Sequence, residues 1–242
     1  GRSKALSTVI VEMSYSPGDK LRFLGSAAGH VSQTIYASPT GNQTLAFFLT
    51  QLVEVINPVT GIIWMDRNLG AMQVATSSDD ADAYGDLYQW GRGADGHEKR
   101  TSQTISTLSS NDTPVHGLFI TPGSVPYDWR SPQNNNLWQG VNGTNNPCPA
   151  GFRIPTSAEW DAERASWSSN NSAGAFASAL KLPVAGLRYY TTGLHSPVGS
   201  GGYYWSGTVS GAYAQHLYIS SGNAYMLSSY RANGLSVRCI KE

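Results

Sequence analysis

From Ala75 to Trp138 the chain is dominated by Ser, Asp, Asn, Gly and Pro, with no sustained apolar period of either the helical or the strand kind. Single aromatics interrupt it: Tyr84, Tyr88, Trp90, Phe119, Tyr127, Trp129 and Trp138. So few periodic apolar positions cannot support long helices or strands. The stretch reads as long irregular loops pinned by buried aromatics, and regular structure has to come from the segments around it.

Those segments carry clear signals. Thr156-Ser157-Ala158-Glu159 matches a capping box, and Trp160, Arg164 and Trp167 follow at helical spacing. A second, shorter helix fits Ala173 to Leu180. Beyond it, Lys181–Tyr190, Gly202–Thr208, Ala214–Ser220, Asn223–Leu227 and Leu235–Ile240 read as short strands between Gly-containing turns. Upstream, Thr8–Ser14 and Leu45–Ile56 are β-rich, with turn signals at Ser16-Pro17-Gly18 and Pro39-Thr40-Gly41-Asn42. The expected organisation is an N-terminal β subdomain or collar over residues 1–56, a turn at Asn57–Gly61, and an α+β domain over 57–242 whose first strand is Ile62–Met65.

Composition narrows the function. The 242 residues have a formal net charge of zero and only 13% are charged, so no basic field exists to hold nucleic acid. No run of about 18 apolar residues is present, so no membrane insertion is expected. Gly (26), Tyr (13) and Trp (7) stand beside few Lys and Glu, the palette of loop-rich extracellular and virion proteins and of antibody-like paratopes. Two cysteines, Cys148 and Cys239, are too few and too far apart for a zinc motif or a redox pair, which leaves one long-range disulfide or two buried thiols.

Catalytic and metal candidates are weak. Asp79, Asp80, Asp82 and Asp86 form an acidic run without the ligand spacing or Gly of a calcium loop, and read as a solvated segment. His30, His97, His116, His195 and His216 are scattered, as surface or packing histidines are. Asp95 and Glu98 flank His97 in a Gly-rich loop, the one place to look for hydrolytic chemistry. No nucleophile–base pair emerges, so no enzyme activity, cofactor or metal is expected.

A set of ordered motifs carries a resemblance. Trp64-Met65-Asp66-Arg67-Asn68-Leu69-Gly70-Ala71 is followed by Tyr84-Gly85-Asp86-Leu87-Tyr88-Gln89-Trp90-Gly91-Arg92, then by the run Asn146–Thr156 (NPCPAGFRIPT) with Glu159-Trp160. Leu182-Pro183-Val184-Ala185-Gly186, Gly202-Tyr203-Tyr204-Trp205-Ser206 and Ser236-Val237-Arg238-Cys239 complete the set. Over roughly residues 57–242 the chain resembles the Fibrobacter succinogenes major paralogous domain family. The resemblance implies a C-type-lectin-like fold, of the formylglycine-generating-enzyme type, with small twisted sheets, two helices and long loops. It also places Cys148 and Cys239 in two family motifs, by the helix start and in the last strand, where they are expected to lie close. Formylglycine-generating chemistry needs its own copper-binding cysteine pair, and calcium-dependent sugar binding needs Glu-Pro-Asn, Gln-Pro-Asp or Trp-Asn-Asp; the chain has none of these.

The same lectin-like architecture is used by variable proteins of diversity-generating retroelements, in which adenine-directed mutagenesis rewrites chosen codons near the C-terminus. Asn codons in such a template become Ser, Thr, Tyr, Ala, Gly, Asp, His, Leu, Val or Ile. Within about 200–235, the residues Val209, Ser210, Ala212, Tyr213, His216, Tyr218, Ser220, Ser221, Tyr225, Leu227, Ser228, Ser229 and Tyr230 all fall in that set, around fixed anchors Trp205, Gln215 and Met226. These are the expected ligand-binding residues. Tyr gives a large, fairly rigid amphipathic surface while Ser, Gly and Asn adapt hydrogen bonds around it. Alternation would put Tyr218 with Ser220, and Tyr225 with Leu227, on one exposed face. The expected partner is a protein or glycan on a cell surface, met by a phage tail-tip or bacterial surface protein, with a homotrimer as the form that would add avidity. A structural or adhesive envelope subunit is the alternative, and a formylglycine-type enzyme a third.

Overall fold

The computed structural model describes residues 21–25, 33–37 and 52–242. Strands β1 (Leu21–Gly25) and β2 (Gln33–Ala37) pair antiparallel, from Leu21 opposite Ala37 to Gly25 opposite Gln33. The expected strand Thr8–Ser14, and Leu45–Ile56 as far as Gln51, lie outside the described residues.

β3 (Glu54–Ile56) and β4 (Ile63–Met65) are joined by a turn organised on Asn57. Its carbonyl accepts from Gly61 N–H at 2.8 Å, and its side-chain Oδ1 accepts from Val59 and Thr60 N–H. Gly61 sits at φ 71°, a conformation that costs glycine nothing and other residues something. Irregular chain follows, carrying a 3-10 turn at Ala81–Ala83 and the short strands β5 (Tyr88–Gln89), β6 (Thr104–Ile105), β7 (Phe119–Ile120) and β8 (Phe152–Arg153). Two helices come next, α1 (Ser157–Ala165) and α2 (Ser172–Ala177). The chain ends with β9 (Gly201–Ser210), β10 (Tyr213–Ser220), β11 (Ala224–Tyr230), β12 (Gly234–Leu235) and β13 (Ile240–Lys241). The result is an α+β protein with small, mostly antiparallel sheets.

α1 starts where the capping box puts it. Thr156 Oγ1 accepts from Glu159 N–H at 3.3 Å and Glu159 Oε2 accepts from Thr156 N–H at 2.7 Å, so two otherwise orphaned donors are satisfied. Arg153 then clamps the Glu159 carboxylate with both Nη1 and Nη2, at 2.9 and 2.7 Å.

Three strand expectations need correction. β3, expected in the N-terminal segment, instead joins the sheet ordered β3-β4-β13-β8. Lys181–Tyr190 forms no strand: Leu182, Val184 and Leu187 are apolar because they are buried, and the segment's ladder pairings are isolated bridges at Gly186 and Arg188. Leu235–Ile240 is two strands, because the chain leaves β5 at Leu235 and reaches β4 and β8 at Ile240.

Long loops create a specific problem, since irregular backbone leaves carbonyls without ladder partners and each one buried unpaired costs roughly 1–3 kcal/mol. Buried indoles and guanidinia meet it here. Trp90, Trp129, Trp160 and Trp205 donate Nε1–H to the carbonyls of Ser206, Trp90, Trp205 and Tyr88 at 2.9, 2.7, 3.0 and 2.7 Å. Arg188 binds the carbonyls of Gly193 and Ser102 while stacking on Phe119, and Arg238 binds the carbonyls of Met65 and Leu180 and Oδ1 of Asn68. Trp and Arg, scattered through unpatterned sequence, therefore do the work that strands do elsewhere.

Cys148 and Cys239 form a disulfide, with Cα atoms 5.9 Å apart. It closes a loop of 91 residues and ties the segment before β8 to that before β13, constraining the unfolded chain by roughly 4–5 kcal/mol.

Candidate functional site

β9, β10 and β11 form an antiparallel meander with β10 in the centre. Alternation assigns its two faces. Tyr204, Leu217, Ile219, Ala224 and Met226 turn toward Trp160 of α1 and Trp64 of β4, and this side is sealed. The other side is organised in cross-strand rungs. One is Tyr203–Tyr218–Tyr225, with ring centroids 5.1 and 5.4 Å apart. The next is Trp205–His216–Leu227. Exposure increases along both rungs from β9 to the outer strand, where Tyr225 and Leu227 are each 43% exposed. The loops that carry Trp90, Trp129 and Trp138 cover the inner end, and nothing among the described residues covers the outer one.

A second aromatic group lies at the Gly211 end. Tyr213 and Tyr230 oppose each other with centroids 5.0 Å apart, and Tyr230 packs against Tyr127 and Tyr190, both at 4.9 Å. Tyr213 and Tyr230 stand at the end of the ladder away from Tyr218 and Tyr225, so the tyrosines form two clusters and not one continuous face. Tyr190 packs in the second cluster, and the pKa of Tyr203 in the first is raised by burial foremost, then by Tyr218 and Tyr189.

The expected residues divide accordingly. Tyr213, Ser221, Tyr225, Leu227 and Ser228 are exposed; Val209, Ser210, Ala212, Tyr218, Ser220, Ser229 and Tyr230 are partly so. Ser220 and Ser229 are tied down, Ser220 Oγ to Asn223 across the turn and Ser229 Oγ to Asn233 Nδ2. Ser220 follows Tyr218, and Leu227 follows Tyr225, on the side expected from alternation.

His216 is the correction. It is 4% exposed, wedged between Tyr203 and Trp205, and its Nδ1 has no hydrogen-bond partner. Burial alone lowers its pKa to about 4, so the ring is neutral at physiological pH and supports the rungs from beneath. The set of amino acids permitted by a mutable codon carries no information about depth.

Sequence reasoning missed Tyr127, Tyr189, Tyr190 and Tyr203 as members of the surface. One signal for three of them was present: from Tyr189 to Tyr230 the chain contains no Asp, Glu, Lys or Arg, and this run is bounded by the buried Arg188 and Arg231. The surface is therefore electrically quiet. A hydrogen bond with Tyr213 raises the pKa of Tyr230, and burial raises those of Tyr190 and Tyr203.

The other candidate is closed by its own bonds. Asp95, His97 and Glu98 converge within 4.8 Å and are the one such group among the described residues. His97 Nδ1 lies 2.6 Å from Asp95 Oδ1, and its Nε2 accepts from Gln89 N–H at 3.0 Å. Asp95 Oδ2 takes Arg92 Nε at 2.7 Å, and Glu98 Oε2 takes Gly96 N–H at 2.8 Å. Both imidazole nitrogens are committed and burial lowers the histidine pKa, so the ring is neutral and the group is a structural knot holding loop to β5. The acidic run is likewise local structure: Asp80 accepts from Thr76 and Asp82 N–H, and Asp86 pairs with Lys99 at 2.7 Å. His30 lies outside the described residues.

Compared with protein families, with curated proteins and with solved structures, the chain matches none.

Proposed function

We propose that this chain is a receptor-recognition protein of C-type-lectin-like fold, a phage tail-tip or bacterial surface protein that contacts a protein or glycan through its tyrosine clusters. The observation that carries the reading is the charge-free run from Tyr189 to Tyr230, which places two groups of partly exposed tyrosines on a meander whose back is sealed by Trp64 and Trp160. Stiff aromatic side chains on a fixed backbone lose little entropy on binding. Two helices, small sheets, long loops and the Cys148–Cys239 bridge agree with what the family resemblance implies. The self-satisfied state of Asp95, His97 and Glu98 supports a binding role over a hydrolytic one.

The test is binding of the labelled chain to intact bacterial cells and to an immobilised glycan panel, with and without Tyr213→Ala, Tyr218→Ala and Tyr225→Ala combined. The triple variant is expected to bind at least about tenfold more weakly, with its melting temperature little changed. Unaltered binding, or a collapse of stability, would refute the reading. A reverse transcriptase gene and a near-copy of the codons for residues 200–240 in the flanking DNA would establish retroelement diversification, and the absence of both would remove it.

A further inference from the structure

Among the described residues the outer edge of β11 has no strand paired to it. β11 pairs with β10 and β10 with β9, so the far side of β11 faces away from the sheet. The phase of the ladder says which groups point there. Ser220 N–H donates to the Asn223 carbonyl at 2.8 Å, which makes this a hydrogen-bonded pair, and such pairs recur at every second residue: Tyr218 with Tyr225, His216 with Leu227, Ala214 with Ser229. Ala224, Met226, Ser228 and Tyr230 therefore direct their backbone groups outward. Two of those carbonyls are taken, Ala224 by Arg164 Nη1 at 3.5 Å and Tyr230 by Asn233 N–H at 3.0 Å. The N–H and C=O of Met226 and Ser228 have no partner among the described residues.

Open edges are normally guarded by charge, proline, a bulge or a covering element. Ala224–Tyr230 has no charged residue and no proline, and its ladder with β10 is regular throughout. Leu227, at the midpoint of the strand, stands exposed beside the edge.

We propose that this edge pairs with the same edge of a second copy of the chain, antiparallel about a two-fold axis at Leu227, so that two three-stranded sheets become one of six strands. The strand is complementary to itself in that register. Met226 of one copy opposes Ser228 of the other, and the reverse, so the free N–H and C=O groups of both pairs are satisfied together. Leu227 meets its own counterpart, Tyr225 lies opposite Ser229, and no like charges are brought together. Because Leu227 is the strand's midpoint, neither copy overhangs the other, and an edge without charge or proline meets its own like without repulsion. The pairing does not depend on the identity of any ligand.

Sedimentation of the whole chain over a concentration series is expected to show the mass rising from monomer toward twice that value. Ser228→Pro removes an outward N–H without touching any bond to β10, and is expected to hold the chain monomeric at an unchanged melting temperature, while Ser228→Ala dimerises normally. Leu227→Lys and Leu227→Glu place like charges across the axis; each is expected to be monomeric alone and to form a dimer when the two are mixed, a readout independent of how well proline is tolerated. A monomer at every wild-type concentration, an assembly of another order such as a trimer, or a dimer that survives both Ser228→Pro and Leu227→Lys overturns the proposal.

Discussion

Leu217 and Tyr218 are consecutive residues of β10 and belong to opposite faces of one sheet. The side of Leu217 is closed by tryptophans at centroid distances of 4.8 Å (Trp64–Trp160) and 5.6 Å (Trp160–Tyr204). The side of Tyr218 is graded: sealed at Trp205, tight at His216, open at Tyr225 and Leu227. A single meander thus separates two demands. One face supplies apolar burial, and the outer part of the other leaves Tyr225 and Leu227 exposed, where truncation removes little buried area.

The difference can be broken at its strongest point first. Trp160→Ala removes a fully buried indole and leaves the Trp205 carbonyl without its donor, and is expected to cost about 3–5 kcal/mol in denaturant unfolding. A loss below about 1 kcal/mol would mean that the closed face is not what holds the sheet.

The inner rung sharpens the comparison. Burial lowers the His216 pKa from its ordinary 6.5 to about 4, so the unfolded chain takes up a proton that the folded chain refuses. The stability that His216 provides is fully present above pH 6.5, declines as pH falls, and levels off below about 4, a change on the order of 3 kcal/mol. His216→Phe is expected to flatten that part of the pH–stability curve and to leave the share due to His97, whose pKa is lowered in the same direction. An unchanged curve would place His216 in contact with water.

At the outer end the effect should be smallest. Tyr225→Ala loses one partly exposed cross-strand contact with Tyr218 and is expected to cost about 0.2–1 kcal/mol, read from the same unfolding curves. A cost equal to that of Trp160→Ala would erase the distinction between the faces.

What the sequence made legible was local. The capping box could be read because Thr156 and Glu159 satisfy each other within one turn, and the meander because glycine-bearing turns separate segments rich in Tyr. Lys181–Tyr190 misled because apolar residues report burial, and here loops bury them. Half of the aromatic surface was similarly out of reach: Tyr127 is brought to Tyr230 across about a hundred residues that include both helices and most of the meander, and no spacing rule connects them. His216 shows the remaining limit, since alternation names a residue's side of the sheet and not how far along a rung the protein closes over it.

The sheet ordered β3-β4-β13-β8 has an architectural consequence. Glu54, in its first strand, and Lys241, in its last to be made, are bound to each other at 2.8 Å, so the polypeptide enters and leaves this unit at neighbouring points. A body with adjacent leads can be spliced into a surface hairpin of an unrelated host, or reclosed with a short tether and opened elsewhere, without dragging its ends across the tyrosines.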